Sequence, residues 1–188
     1  LGSAALWIFW PSFCAALAPV DKIPLVAINT ILALCGATLA TYAFSTFIRG
    51  KIEISDIANA SLAGGVAIGA SVAFVTPGWS MLIGAVAGAI SVIGYTVIQP
   101  RLQKLTGGVD TCGVHNLHGM PGVFGGLVAM ALVAFPLWQL AGIILTVILA
   151  VTMGVTVGFI VSRLGRKQTP YEDKDEFELS DGNEGIDF

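Results

Sequence analysis

The sequence predicts an all-α integral membrane protein that crosses the bilayer six times. Three observations carry this. Of the 188 residues, 55% are hydrophobic and 11% charged, whereas soluble domains carry roughly 25% charged residues. Eight of the twelve acidic residues fall in the last seventeen positions, so the net charge of −3 describes the tail. What remains divides into uncharged runs, and a spanning helix needs about 20 apolar residues to cross the hydrocarbon.

The elements follow in order. Residues 1–19 form a first helix and 23–48 a second, separated by Asp21 and Lys22. Residues 57–100 run without a charge and supply two helices, 57–75 and 79–100, broken at Thr76-Pro77-Gly78-Trp79. Residues 111–162 are again uncharged and supply 111–134 and 138–163, broken at Phe135-Pro136-Leu137-Trp138. Proline removes a donor from the helix ladder, and tryptophan suits the membrane interface. A transmembrane domain, 1–165, is thus followed by an acidic tail, 166–188, too poor in aliphatic residues to pack.

Basic residues set the orientation. With residue 1 inside, the inner set is Arg49, Lys51, Arg101, Lys104, Arg163, Arg166, Lys167 and Lys174, and the outer set is Lys22. Cytoplasmic loops carry the excess of Lys and Arg, so both ends of this multi-pass segment are expected in the cytoplasm of a cell-membrane protein. Small residues recur four apart, at Gly65/Gly69, Gly84/Gly88, Gly122/Gly126 and Gly154/Gly158, a spacing that lets helix backbones approach closely in lipid.

Composition excludes several classes. There is no basic patch to follow a phosphate backbone, so no nucleic-acid partner is expected. Cys14, Cys35 and Cys112 sit in or beside apolar runs and form no zinc-spaced cluster with histidine. No metal, no cofactor and no catalytic residue is expected.

Ionisable groups within a membrane are costly, and each is a functional candidate. The two histidines, His115 and His118, lie in Asp110-Thr-Cys-Gly-Val-His-Asn-Leu-His-Gly-Met-Pro-Gly122. On an α-helix, positions three apart share a side, so both imidazoles can face one way. Asp110 suits the helix start, where a carboxylate meets the positive end of the dipole. His118 lies deeper, beside Gly119 and Gly122, which remove bulk around it. Either histidine can be a hydrogen-bonded packing group. Alternatively, a neutral imidazole, with one donor and one acceptor, handles a small polar solute without placing a charge in lipid. Leu6-Trp-Ile-Phe-Trp-Pro-Ser-Phe13 brings four aromatics together, either as packing or as faces that attract a passing cation.

Residues 110–122 resemble the signature of Rh-type members of the ammonium transporter (Amt/Mep/Rh) family. The segment 6–13, Ile28-Asn29-Thr30, Ser61-Leu-Ala-Gly-Gly-Val-Ala67 and the helix over 78–94 match in the same order. The resemblance implies an eleven-helix transporter built from two inverted five-helix repeats and a last helix, of which this chain is the second repeat plus that helix. It implies that His118 is one of two paired pore histidines, that Phe13 is one of two stacked phenylalanines above the pore, and that Trp10 lies near the outer vestibule. His115 corresponds to the additional histidine of the Rh branch, and Asn116 lies between the two. The implied function is passage of neutral NH3 after ammonium loses its proton, in a homotrimer that is not an enzyme. CO2, another small neutral gas, and a non-conducting assembly or sensor role are the alternatives. The first histidine and second phenylalanine belong to an N-terminal half that is expected to precede this segment.

Overall fold

In a computed structural model, residues 1–108, 110 and 113–165 are described; the expected acidic tail, 166–188, and Thr111 and Cys112 lie outside the described residues. The chain divides into two compact units, Leu1–Leu145 and Thr146–Phe188. All regular elements among the described residues are helical: α1 (Gly2–Ala15), α2 (Ile23–Arg49), α3 (Ile54–Ala60), α4 (Ala63–Ile68), α5 (Pro77–Ile93), α6 (Gln99–Thr106), α7 (Met120–Met130) and α8 (Pro136–Ser162). A 3₁₀ turn, Val20–Lys22, precedes α2. A π turn over Gly94–Ile98 joins α5 to α6, and a second over His115–Gly119 leads into α7.

Local chemistry accounts for most boundaries. Pro77 and Pro136 open their helices, where a missing N–H costs nothing. Gly50 ends α2 and Gly107 ends α6, with φ of 72° and 66°, the left-handed conformation that glycine adopts without a Cβ clash. Each donates its N–H back to a carbonyl of the last turn, Gly50 to Thr46 and Gly107 to Gln103, both at 2.9 Å.

Among the described residues, three helical stretches are long and apolar enough to cross a membrane: Val20–Arg49, Pro77–Thr106 and Pro136–Ser162. They overlie the expected helices 23–48, 79–100 and 138–163. The other expected helices take shorter forms. α1 has 14 residues, about 21 Å at 1.5 Å per residue. The stretch expected as one helix over 57–75 is instead α3, α4 and a run of turns. Where the turns end, the buried Asn29 side chain of α2 donates through Nδ2 to the carbonyls of Val72 and Val75, at 2.8 and 2.9 Å, satisfying acceptors that have no helical partner there. The stretch expected over 111–134 holds the second π turn and then α7.

Packing in the first unit depends on small residues. α2 and α5 run parallel, because Ala33 lies against Gly84 and Ala37, one turn on, against Gly88. A Cβ on Gly84 would collide with the carbonyl of Ala33, and one on Gly36 with the carbonyl of Met81. α4 is gripped similarly: Gly64 abuts Ala33 of α2, while Gly125 of α7 abuts Ala67. Backbones this close gain dispersion contacts that replace the hydrophobic force missing between helices in lipid. Leu34, Leu62 and Ile68 fill the core among them.

At the α2–α3 corner a buried carboxylate acts as a clasp. Asp56 is 1% exposed. It accepts from Arg49 Nε at 2.8 Å and Nη2 at 3.0 Å, and from Ser45 Oγ at 2.8 Å. Burying a charge requires such compensation. In α8 no residue is buried, and a helix apolar on every side suits a lipid environment. Within the second unit the Arg163 guanidinium lies 4.5 Å from the Phe159 ring centroid, a cation–π contact at the helix end.

Candidate functional site

The site is assembled from α1 and the π turn that leads into α7. Trp10 and Phe13, three apart on α1, lie on the same side of that helix, with ring centroids 6.3 Å apart and planes at 76°, an edge-to-face pair. His118 lies nearly parallel to Trp10, with centroids 6.4 Å apart and planes at 17°. Trp10 is half-buried against the core, whereas Phe13 is 65% exposed and His118 also faces outward. Phe13, Trp10 and His118 therefore form a run of ring contacts, edge-to-face from Phe13 to Trp10 and near-parallel from Trp10 to His118.

Trp10 is seated by α4. The indole occupies the place that a side chain on the buried Gly65 would take, with Nε1 2.6 Å and Cε2 2.7 Å from an ideal Cβ. Gly65 belongs to the matching segment 61–67, but its part in the site depends on a contact across 55 positions that spacing does not reveal.

His115 and Asn116 fall in a second group. The carboxylate of Asp110 accepts from the N–H groups of Val114 and His115, at 3.0 and 3.1 Å, and thereby caps the segment as its position implies. Asn116 is fully buried; its Nδ2 donates to Gln99 Oε1 at 2.7 Å, and its Oδ1 lies 3.3 Å from His115 Nδ1. Gln99 Nε2 in turn donates to the Asp110 carbonyl at 3.0 Å. Gly94, in the other π turn, leaves the room that Asn116 fills. His115, Asn116, Gln99, Gln103, Thr106 and Asp110 line a cleft of about 220 Å³.

The two histidines have different contacts, His118 with Trp10 and His115 with Asn116, although positions three apart on an α-helix can share a side. The cause is the π turn. Its wider i→i+5 winding places more residues in each turn than an α-helix does, so positions three apart diverge. The structure brings Trp10, Phe13 and His118 together and ties His115 and Asn116 to Gln99. Gln99 and Gly94 escape sequence reasoning because neither lies in the 110–122 motif. Among the described residues no group of three His, Cys, Asp or Glu side chains could hold a metal ion.

A model of the ammonium transporter family matches residues 1–183. The chain belongs to the ammonium transporter family. Within it, the chain is 44% identical over 139 residues to the mouse (Mus musculus) ammonium transporter Rh type A, an alignment covering 72% of this chain and 32% of that protein. It is 46% identical over 132 residues to the zebrafish (Danio rerio) ammonium transporter Rh type B, covering 68% and 29%. The chain thus spans about a third of the length of these curated relatives. Among solved structures, the Rh50 channel of Nitrosomonas europaea superposes with a TM-score of 0.87 at 48% identity, over 97% of this chain and 48% of that one. A sensor Amt protein superposes with a TM-score of 0.69 at 29% identity, over 85% and 41%. This family member accordingly has an all-helical Rh/Amt membrane fold.

Proposed function

We propose that this chain forms one wall of an ammonia pore, as the second five-helix repeat plus the last helix of a homotrimeric transporter with both ends of the segment cytoplasmic. The observation that carries the reading is the Phe13–Trp10–His118 run of ring contacts, whose outer members are exposed. A surface of this composition is suited to being covered by a partner repeat, leaving a narrow apolar passage between them. Family membership supports ammonium or ammonia as the cargo, and the similar Rh50 structure was described in terms of conduction.

The mechanism follows from solvation. Moving an ammonium-sized cation into a dry apolar tube costs several kcal/mol even after relaxation. A neutral amine needs a few hydrogen bonds instead. Aromatic faces at Phe13 and Trp10 attract the cation at the entrance; its N–H bond breaks there, and the proton passes to water outside the pore; His118, in its neutral form, offers one donor and one acceptor to NH3 further in. No bond other than N–H breaks, so the protein is a transporter and not an enzyme. Asn116 holds the π turn in shape, and His115 faces the cleft beside Gln99.

Proteoliposomes carrying the purified transporter decide among cargoes. A pH transient driven by an ammonium gradient, and exceeding that of protein-free vesicles, is the expected result. A transient with CO2 alone would replace the reading with a gas channel; none with either would leave an assembly or sensor role.

A further inference from the structure

We infer that Gly65 is a positioning residue of the pore: by lacking a side chain it sets the plane of Trp10, and through Trp10 the place of His118. The inference rests on the ammonia-pore reading above and deepens it.

The argument begins with what the glycines of this protein touch. A Cβ on Gly36, Gly64, Gly84, Gly88 or Gly125 would meet backbone atoms of a neighbouring helix, so those five allow helices to approach. Gly65 is different. The three atoms nearest its ideal Cβ all belong to the Trp10 indole: Nε1 at 2.6 Å, Cε2 at 2.7 Å and Cδ1 at 2.8 Å. Near-equal distances to three adjacent ring atoms place that Cβ over the face of the five-membered ring and not beyond its edge. Ordinary contact begins at 3.4 Å, so a methyl group falls short by about 0.8 Å. An indole ring does not bend, so the shortfall moves the whole ring along its normal.

That direction matters because His118 lies nearly parallel to the same ring, at 17° and 6.4 Å. Displacement of the Trp10 ring along its normal therefore changes how the two rings sit against each other. Gly65 cannot yield in the opposite direction. Its neighbour Gly64 is already pressed against the Ala33 backbone of α2, and Ala67, two residues on, against Gly125 of α7. α4 is a wall fixed from two sides, and Trp10 rests on it.

The test is Gly65→Ala, made in native and in Trp10→Ala backgrounds of the complete transporter. Two quantities are read: ammonia flux in proteoliposomes, and the histidine ring signal in magnetic resonance of ¹⁵N-histidine-labelled protein, assigned by its loss in His118→Gln. In the native background the His118 signal shifts and flux falls roughly two- to tenfold, the scale of an aromatic pair. In the Trp10→Ala background, which leaves no ring for the new methyl group to meet, Gly65→Ala changes neither quantity further. An unmoved His118 signal in Gly65→Ala, or equal losses in both backgrounds, would overturn the inference. Should Gly65→Ala fail to assemble, assembly of the double variant supports the inference and its failure overturns it. Absence of ammonia flux in the native protein would count against the pore reading alone, since the His118 signal still decides the positioning.

Discussion

Replacing His118 separates its ring from its hydrogen-bonding capacity. In His118→Ala both are removed. A neutral hydrogen bond contributes about 0.5–1.5 kcal/mol net, so losing the one offered to NH3 slows passage roughly fivefold at 1 kcal/mol. The stack on Trp10, with planes at 17°, contributes a further 0.5–1.5 kcal/mol or so; its loss frees Trp10 and brings the expected decline toward thirtyfold. His118→Gln keeps a donor and an acceptor but removes the ring, and its flux should lie between alanine and native. His118→Glu adds a carboxylate that attracts a cation, so ammonium should then evoke a current where the native protein passes neutral NH3. Stopped-flow pH transients and currents on reconstituted protein measure both quantities. Native flux together with native ion selectivity in His118→Ala and His118→Glu would refute the mechanism and leave His118 a packing residue.

Phe13→Ala should change the flux ratio of ammonium to methylammonium in transporter that still assembles; native transport of both would reduce the ring to packing. Arg49→Ala should destabilise the α2–α3 corner by about 2 kcal/mol, below the 3–5 kcal/mol of a fully buried pair because the Arg49 side chain is 32% exposed. Thermal unfolding in detergent should show most of that loss returning in Arg49→Ala/Asp56→Asn, where no buried charge is left unpaired and the amide can still bond Ser45. A double variant no more stable than the single would refute this account of the clasp.

What could be read from sequence, and what could not, divides by range. The long uncharged runs anticipate α2, α5 and α8, because lipid solvation acts on each helix by itself. Asp110 as a cap was legible for the same reason, since its partners are four and five residues away. The break within 57–75 was not legible: the turns that end it are held by Asn29, more than forty positions upstream, a partner that local patterning does not reveal. The divergence of His115 from His118 was hidden as well, because a π turn is stabilised by tertiary partners such as Gln99 and leaves the residue pattern unchanged. The site residues His118, Trp10 and Phe13 stood out as polar or aromatic outliers, while Gly65 looked like its packing neighbours until the indole was seen lying on it.

Asn29 also governs how the connection between α4 and α5 can vary. Its amide donates to Val72 and Val75, while its own carbonyl accepts from Ser80 Oγ at the start of α5. One residue therefore measures the chain from both sides of Pro77. A connection lengthened or shortened by a single residue between Val75 and Ser80 could satisfy one end and would strand the other. Although Pro77, Gly78 and Trp79 lie at the surface, where connecting segments usually accept insertions, this tip has a set length, and variants should differ there in the identity of residues and not in their number.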